Sequence, residues 1–138
     1  MRALVVVDML EDFVQGALAN PRAQAIVPPL HELLAHARRD GWVRVFANDA
    51  HHPGDPELAI WGEHAMAGTH GAQVISELGL EKVMFEAADP EVFGWYVKNY
   101  GPEVNLFVDH SQIVQLECLR SGLWGTQSVW GRIVTYKE

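Results

Sequence analysis

Scarcity defines this chain before any motif does. Among 138 residues there is one cysteine, Cys118, which excludes an internal disulfide and suits a reducing, cytoplasmic setting. Positive charge is short as well: ten Lys and Arg stand against eighteen Asp and Glu, for a net charge of −8. Phosphate backbones and anionic bilayers select basic surfaces, so neither nucleic acid nor a membrane is expected as a partner. No apolar run reaches 18 residues, which excludes a transmembrane span. The apolar run Ala3–Val7 is too short for a signal peptide, and Asp8 follows where a small-residue cleavage site would be needed. Lysine is absent from residues 1–78, whereas 13 of the 15 alanines and six of the seven histidines fall there. The composition therefore changes character near residue 79, although the length fits one domain.

Periodicity supplies the elements. Ala3–Val7 reads as a strand buried on both faces. A loop around Gly16 and Pro21 leads to a helix with Pro28 and Pro29 in its first turn, a stripe of Leu30, Leu33, Leu34 and Ala37, and a stop at Gly41. Trp42–Ala47 is a second strand, and Asp49–Gly71 a long functional loop. Gln73–Leu78 is expected to be a short helix and Lys82–Glu86 a third strand. Asp89-Pro90-Glu91 then starts a helix that ends at Gly101-Pro102. Val104–Val108 makes a fourth strand, Ser111–Ser121 a helix and Arg132–Tyr136 a last strand. Strands alternating with helices imply an α/β fold. The expected form is one three-layered domain whose four- or five-stranded, mainly parallel sheet carries helices on both faces.

Two clusters carry chemistry. Asp8 ends a buried strand, a position that faces the ligand crevice of open α/β sheets. Its carboxylate could orient or deprotonate a nucleophile, with Asp12 nearby, or it could cap the loop by accepting backbone N–H groups. Asp49 and His51 stand two apart just past the second strand, so in extended backbone they point to one side. With His64 they form a carboxylate and two imidazoles, a set suited to zinc, iron or manganese with open positions and less to magnesium. The bland alternative is that loop histidines are common, with His52 and His70 as bystanders.

Residues 3 to about 78 resemble the isochorismatase-like cysteine hydrolases, in particular the nicotinamidase type. The resemblance rests on Leu4-Val5-Val6-Val7-Asp8-Met9 with Asp12-Phe13, Gly16-Ala17-Leu18, Asn48-Asp49-Ala50-His51-His52-Pro53, Trp61-Gly62-Glu63-His64-Ala65, Gly68-Thr69 and Gly71-Ala72. It implies a hydrolase of small amides, with Asp8 as the triad aspartate and Asp49, His51 and His64 as metal ligands. The family also uses a lysine after the third strand and a cysteine opening the helix after the fourth, the thiolate attacking the amide carbonyl. Here the third strand runs into Glu86-Ala87-Ala88-Asp89-Pro90, and neither Lys82 nor Lys98 fits. Cys118 follows the fourth strand but falls about two turns into its helix, away from the N-terminal end where the dipole would lower a thiol pKa. Beside Leu116 and Leu119 it reads equally as a small buried hydrophobe.

From residue 79 the text changes. Leu80–Ala87, Trp95–Leu106 and Leu116–Gly125 resemble the C-terminal part of the phosphosulfolactate synthase family, which implies a β/α-barrel segment and magnesium-assisted addition of sulfite to phosphoenolpyruvate. Barrel chemistry gathers at strand C-termini, so Glu86, Asn105 and Asp109 are the positions to watch; alternatively the two acids cap helices. A barrel needs eight strand–helix units, and only the last few are expected here. The reading that emerges is a chimera, residues 1–78 amidase-like and 79–138 synthase-like. Its pocket is set up for a small-molecule substrate but lacks a well-placed nucleophile, so activity should be weak or nil. An inert interaction domain is the non-enzymatic alternative. Apolar surface left by missing helices, with Trp124, Val129 and Trp130 to cover it, would favour a homo-oligomer.

Overall fold

Two short, largely apolar segments become adjacent strands of a parallel sheet. The computed structural model describes residues 2–80, 98–99 and 105–109. Strand β1 (Ala3–Val7) pairs with β2 (Val43–Asn48), placing Val5 opposite Val45 and Val7 opposite Ala47. Strand β3 (Asn105–Asp109) lies on the other flank of β2, with Leu106 opposite Val45 and Asp109 opposite Asn48. The order is thus β1-β2-β3, and the central strand is buried from Val43 through Ala47. The α/β class and parallel pairing agree with the sequence. The strands expected at 82–86 and 132–136, the helix at 111–121 and most of the helix at 89–100 lie outside the described residues. Lys98 and Asn99 are helical and exposed.

Helix α1 (Glu11–Val14) is a single turn after β1, where the sequence suggested only loop. Helix α2 (Pro21–Arg39) starts a full two turns earlier than expected. Asn20 caps it, its side chain accepting from the Arg22 amide at 2.9 Å, and Pro21 takes the first position, where a missing N–H costs nothing. Pro28 and Pro29 therefore sit inside the helix rather than in its first turn. Both face solvent, so the carbonyls they leave without helical partners can bond water. The buried stripe shifts accordingly. Ala23, Val27, Leu30 and Leu34 face the core, whereas Leu33, expected in it, is 40% exposed.

The core beneath α2 joins Val6, Phe46, Met9, Val14, Leu34, Ile75 and Leu78. Phe46 is fully buried on β2 and stacks on Phe107 of β3, ring centroids 5.3 Å apart. Residues 49–71 are less featureless than a long loop. They contain helix α3 (Leu58–Trp61), the start of a 3-10 turn at His70–Ala72, and a parallel bridge between His51 and Met66. The helix expected at Gln73–Leu78 reduces to a 3-10 turn at Ser76–Leu78, because Val74 bridges Leu10 in extended form. Among the described residues no helix is long and apolar enough to cross a membrane.

Candidate metal and acid site

The loops at the C-terminal ends of β1 and β2 bring the candidate residues together, as expected for open α/β sheets. Asp8 leaves β1 with φ +52, an uncommon conformation for a residue with a side chain. Its amide donates to the Ala47 carbonyl at 3.0 Å, and its Oδ1 accepts the Asp49 amide at 3.0 Å. One oxygen of this carboxylate is therefore committed to backbone while the group stays beside Asp49.

Asp49, His51 and His64 converge. All three are buried, and one ligand atom from each lies within 4.8 Å of the others. The two imidazoles meet edge to face at 4.7 Å between centroids. Each ring has its Nδ1 occupied. His51 Nδ1 lies 3.2 Å from Asp55 Oδ2, and His64 Nδ1 donates to the Gly62 carbonyl at 2.8 Å. A partner on one ring nitrogen fixes the tautomer and aims the other at the site, the usual support of a metal-bound histidine. His51 Nε2 is buried without a hydrogen-bond partner, the nearest carboxylate oxygen, Asp49 Oδ2, standing 3.5 Å away. An orphaned buried nitrogen between a carboxylate and a second imidazole fits a divalent cation.

Sequence reading did not single out Asp55. It comes into range because His52-Pro53-Gly54-Asp55 closes as a tight turn, with Gly54 at φ +92 and the Asp55 amide on the His52 carbonyl at 3.1 Å. The Pro-Gly pair was the available signal. His52 is exposed, and His70, with a side chain 78% exposed, sits 3.8 Å from Glu11; neither joins the cluster. Asn105 departs from expectation. It opens β3 at the end opposite the site, and its side chain accepts from Arg44 Nε at 2.9 Å, whereas Asp109 ends the strand beside Asn48. The residue that closes a strand, not the one that opens it, reaches the ligand face. Glu86 and Cys118 lie outside the described residues. Next to the cluster, among the described residues, Asp49, Thr69, Gln73, Val74, Phe107 and Asp109 help line a cavity of about 430 Å³.

The Asp49 carboxylate is the main reason that the His51 imidazole is raised from its ordinary 6.5 to about 9; burial opposes the rise, and Asp55 and Glu57 add to it. Because folding raises this pKa, the metal-free protein holds the associated stabilisation in full below pH 6.5 and loses it as pH climbs through 9. The unfolding midpoint of metal-free protein should therefore fall across that window. His51→Gln should flatten the fall, and an equal slope in both proteins would contradict the assignment.

The sequence model of the (2R)-phospho-3-sulfolactate synthase family matches residues 53–126, more than half of the chain. Over 49 residues the chain is 63% identical to HEAT-STRESS-ASSOCIATED 32 of Arabidopsis thaliana, a stretch covering 36% of this chain but only 17% of that protein. The structure of N-carbamoylsarcosine amidase from Thermoplasma acidophilum is 38% identical, with a TM-score of 0.57 over 78% of this chain and 68% of that one. A pyrazinamidase of Pyrococcus horikoshii, determined in complex with zinc, shares the fold at 19% identity, with a TM-score of 0.55 over 99% of this chain and 94% of that one.

Proposed function

The chain belongs to the isochorismatase-like hydrolases and, over residues 53–126, to the phosphosulfolactate synthase family, and from this premise we propose that it is a weak hydrolase of small amides. The observation that carries the proposal is the buried convergence of Asp49, His51 and His64 beside the Asp8 carboxylate. The zinc of the pyrazinamidase relative supports zinc as the cation, with iron or manganese as the other candidates. A divalent metal held there would supply Lewis acidity toward an amide carbonyl or a water. Asp8, with one oxygen tied to the Asp49 amide, would hold a proton during the reaction. Asp55 and the Gly62 carbonyl keep the two imidazoles turned inward. The cavity of about 430 Å³ suits a small molecule.

Low activity follows from the sequence after residue 80, where neither the lysine nor the cysteine has the setting that the family uses. The division at Gly79 is part of the same proposal, although the synthase match already begins at residue 53 and overlaps the amidase-like motifs. A panel of small amides, nicotinamide included, tests the activity. Turnover should survive Cys118→Ser and fall about a hundredfold or more in Asp8→Asn. A rate lost in Cys118→Ser would install the thiol as nucleophile instead, and no turnover with any substrate would remove the hydrolase reading.

The synthase match favours a second reading, magnesium-assisted addition of sulfite to phosphoenolpyruvate. Of the positions that reading needs, Asp109 is at the correct strand end and Asn105 is spent on Arg44 at the wrong one.

A further inference from the structure

We propose that Asp12, on the turn after β1, is the positioning residue of the site, holding the two histidine loops at their spacing from outside the ligand cluster. The inference rests on the metal reading of Asp49, His51 and His64. Asp12 Oδ2 accepts the Ala65 amide at 2.8 Å, and its Oδ1 accepts the Ala17 amide at 3.2 Å. Ala65 is the hinge of the arrangement. It follows His64 directly, is fully buried and holds φ +43, a left-handed conformation that an alanine keeps only when its surroundings impose it.

The other side of Ala65 faces the second ligand. Its carbonyl accepts the His51 amide at 2.9 Å, and the Ala67 amide donates to the His51 carbonyl at 2.8 Å. One carboxylate thereby fixes a residue adjacent in sequence to His64 and hydrogen-bonded to His51. Phe13, the next residue, presents its ring edge-on to His64 at 5.5 Å between centroids, so the same turn also braces the imidazole itself. The Asp12 carboxyl lies in a slot between two glycines. A Cβ on Gly71 would overlap the carboxyl group, and a Cβ on Gly16 would overlap its Oδ1. The slot leaves the carboxylate little freedom to turn away from Ala65.

Zinc affinity of the full chain, measured by competition with a chromophoric chelator, tests the role. Asp12→Ala should weaken zinc binding about tenfold to a hundredfold, the range for outer partners of metal ligands. Gly71→Ala, which keeps the carboxylate but displaces it, should do the same, and Asp12→Asn, with one acceptor left, should fall between. Amide exchange in zinc-free protein provides the second readout. Exchange at Ala65 and His51 should accelerate in Asp12→Ala while the β1–β2 ladder stays protected. Zinc affinity within twofold of the parent, or unchanged protection at Ala65 and His51, would overturn the proposal. A parent that takes up no zinc would end the metal reading instead, leaving the exchange data to decide whether Asp12 holds the loops.

Discussion

His51→Ala should abolish stoichiometric metal uptake. The loss expected is more than about a hundredfold in affinity, since even partners behind the ligands cost up to that much. The reasoning is geometric. His51 is fully buried, its Nδ1 is occupied by Asp55, and its Nε2 points at Asp49 with no hydrogen bond of its own. Removing the ring takes away one of three converging ligands and leaves a carboxylate and one imidazole, too few to hold a cation against water. Metal analysis of the purified parent, His51→Ala and His52→Ala settles the matter. His52, one residue along but exposed, should retain the parent's stoichiometry. Equal metal content in the parent and His51→Ala would place the metal elsewhere or nowhere.

A second large effect is expected in the core. Phe46→Ala should destabilise the fold by about 3–5 kcal/mol, the usual cost of emptying a buried phenylalanine site. Phe46 has no exposed surface, occupies the central strand and stacks on Phe107 at an interplanar angle of 26°. The core cluster it belongs to draws on β1, α1, α2, β3 and the segment carrying Ile75 and Leu78, so the cavity cannot close by moving one of them. Against a typical total of about 5–15 kcal/mol, the variant should populate unfolded chain at moderate temperature. Phe46→Leu, which fills most of the volume, should cost markedly less. Urea unfolding of the two variants checks both values, and a loss under about 1 kcal/mol in Phe46→Ala would mean that the site collapses or is looser than described.

Much of this was legible in the sequence because the signals were local. Ala3–Val7 was visible as a short valine-rich run and Trp42–Ala47 as a second strand, and the parallel sheet followed from alternation with helices. The spacing of Asp49 and His51 put both on one side of an extended segment, and the structure brings them within reach of His64. Less legible was anything that depended on competing rules. Asn20-Pro21 is the same kind of start signal as Asp89-Pro90, yet two later prolines argued for a later beginning; their exposure is what makes them tolerable. Leu33 looked like core by spacing, but the face turned to the core carries Ala23, Val27, Leu30 and Leu34 and leaves Leu33 at its edge, 40% exposed. Asn105 already stood near the start of the expected strand Val104–Val108, so that strand's own bounds spoke against a place at its C-terminal end. Its side-chain partner is Arg44, 61 positions away in the chain, and no pattern near Asn105 announces that pairing. Asp55 was missed for a related reason, since its role depends on a Pro-Gly turn folding it back onto His51.

The lateral order of the strands has a consequence for anyone wishing to rebuild catalysis. With β2 in the middle, the last residue of β3 starts roughly 10 Å, two strand widths, from the carboxylate that terminates β1. A thiol grafted at the end of β3 itself would have to reach across the end of β2 to meet that acid. The shorter approach comes from the opposite border of β1, which pairs with no other strand among the described residues. Grafting a thiol-bearing strand and helix along that border would place the reactive atom by sheet geometry rather than by the reach of a loop.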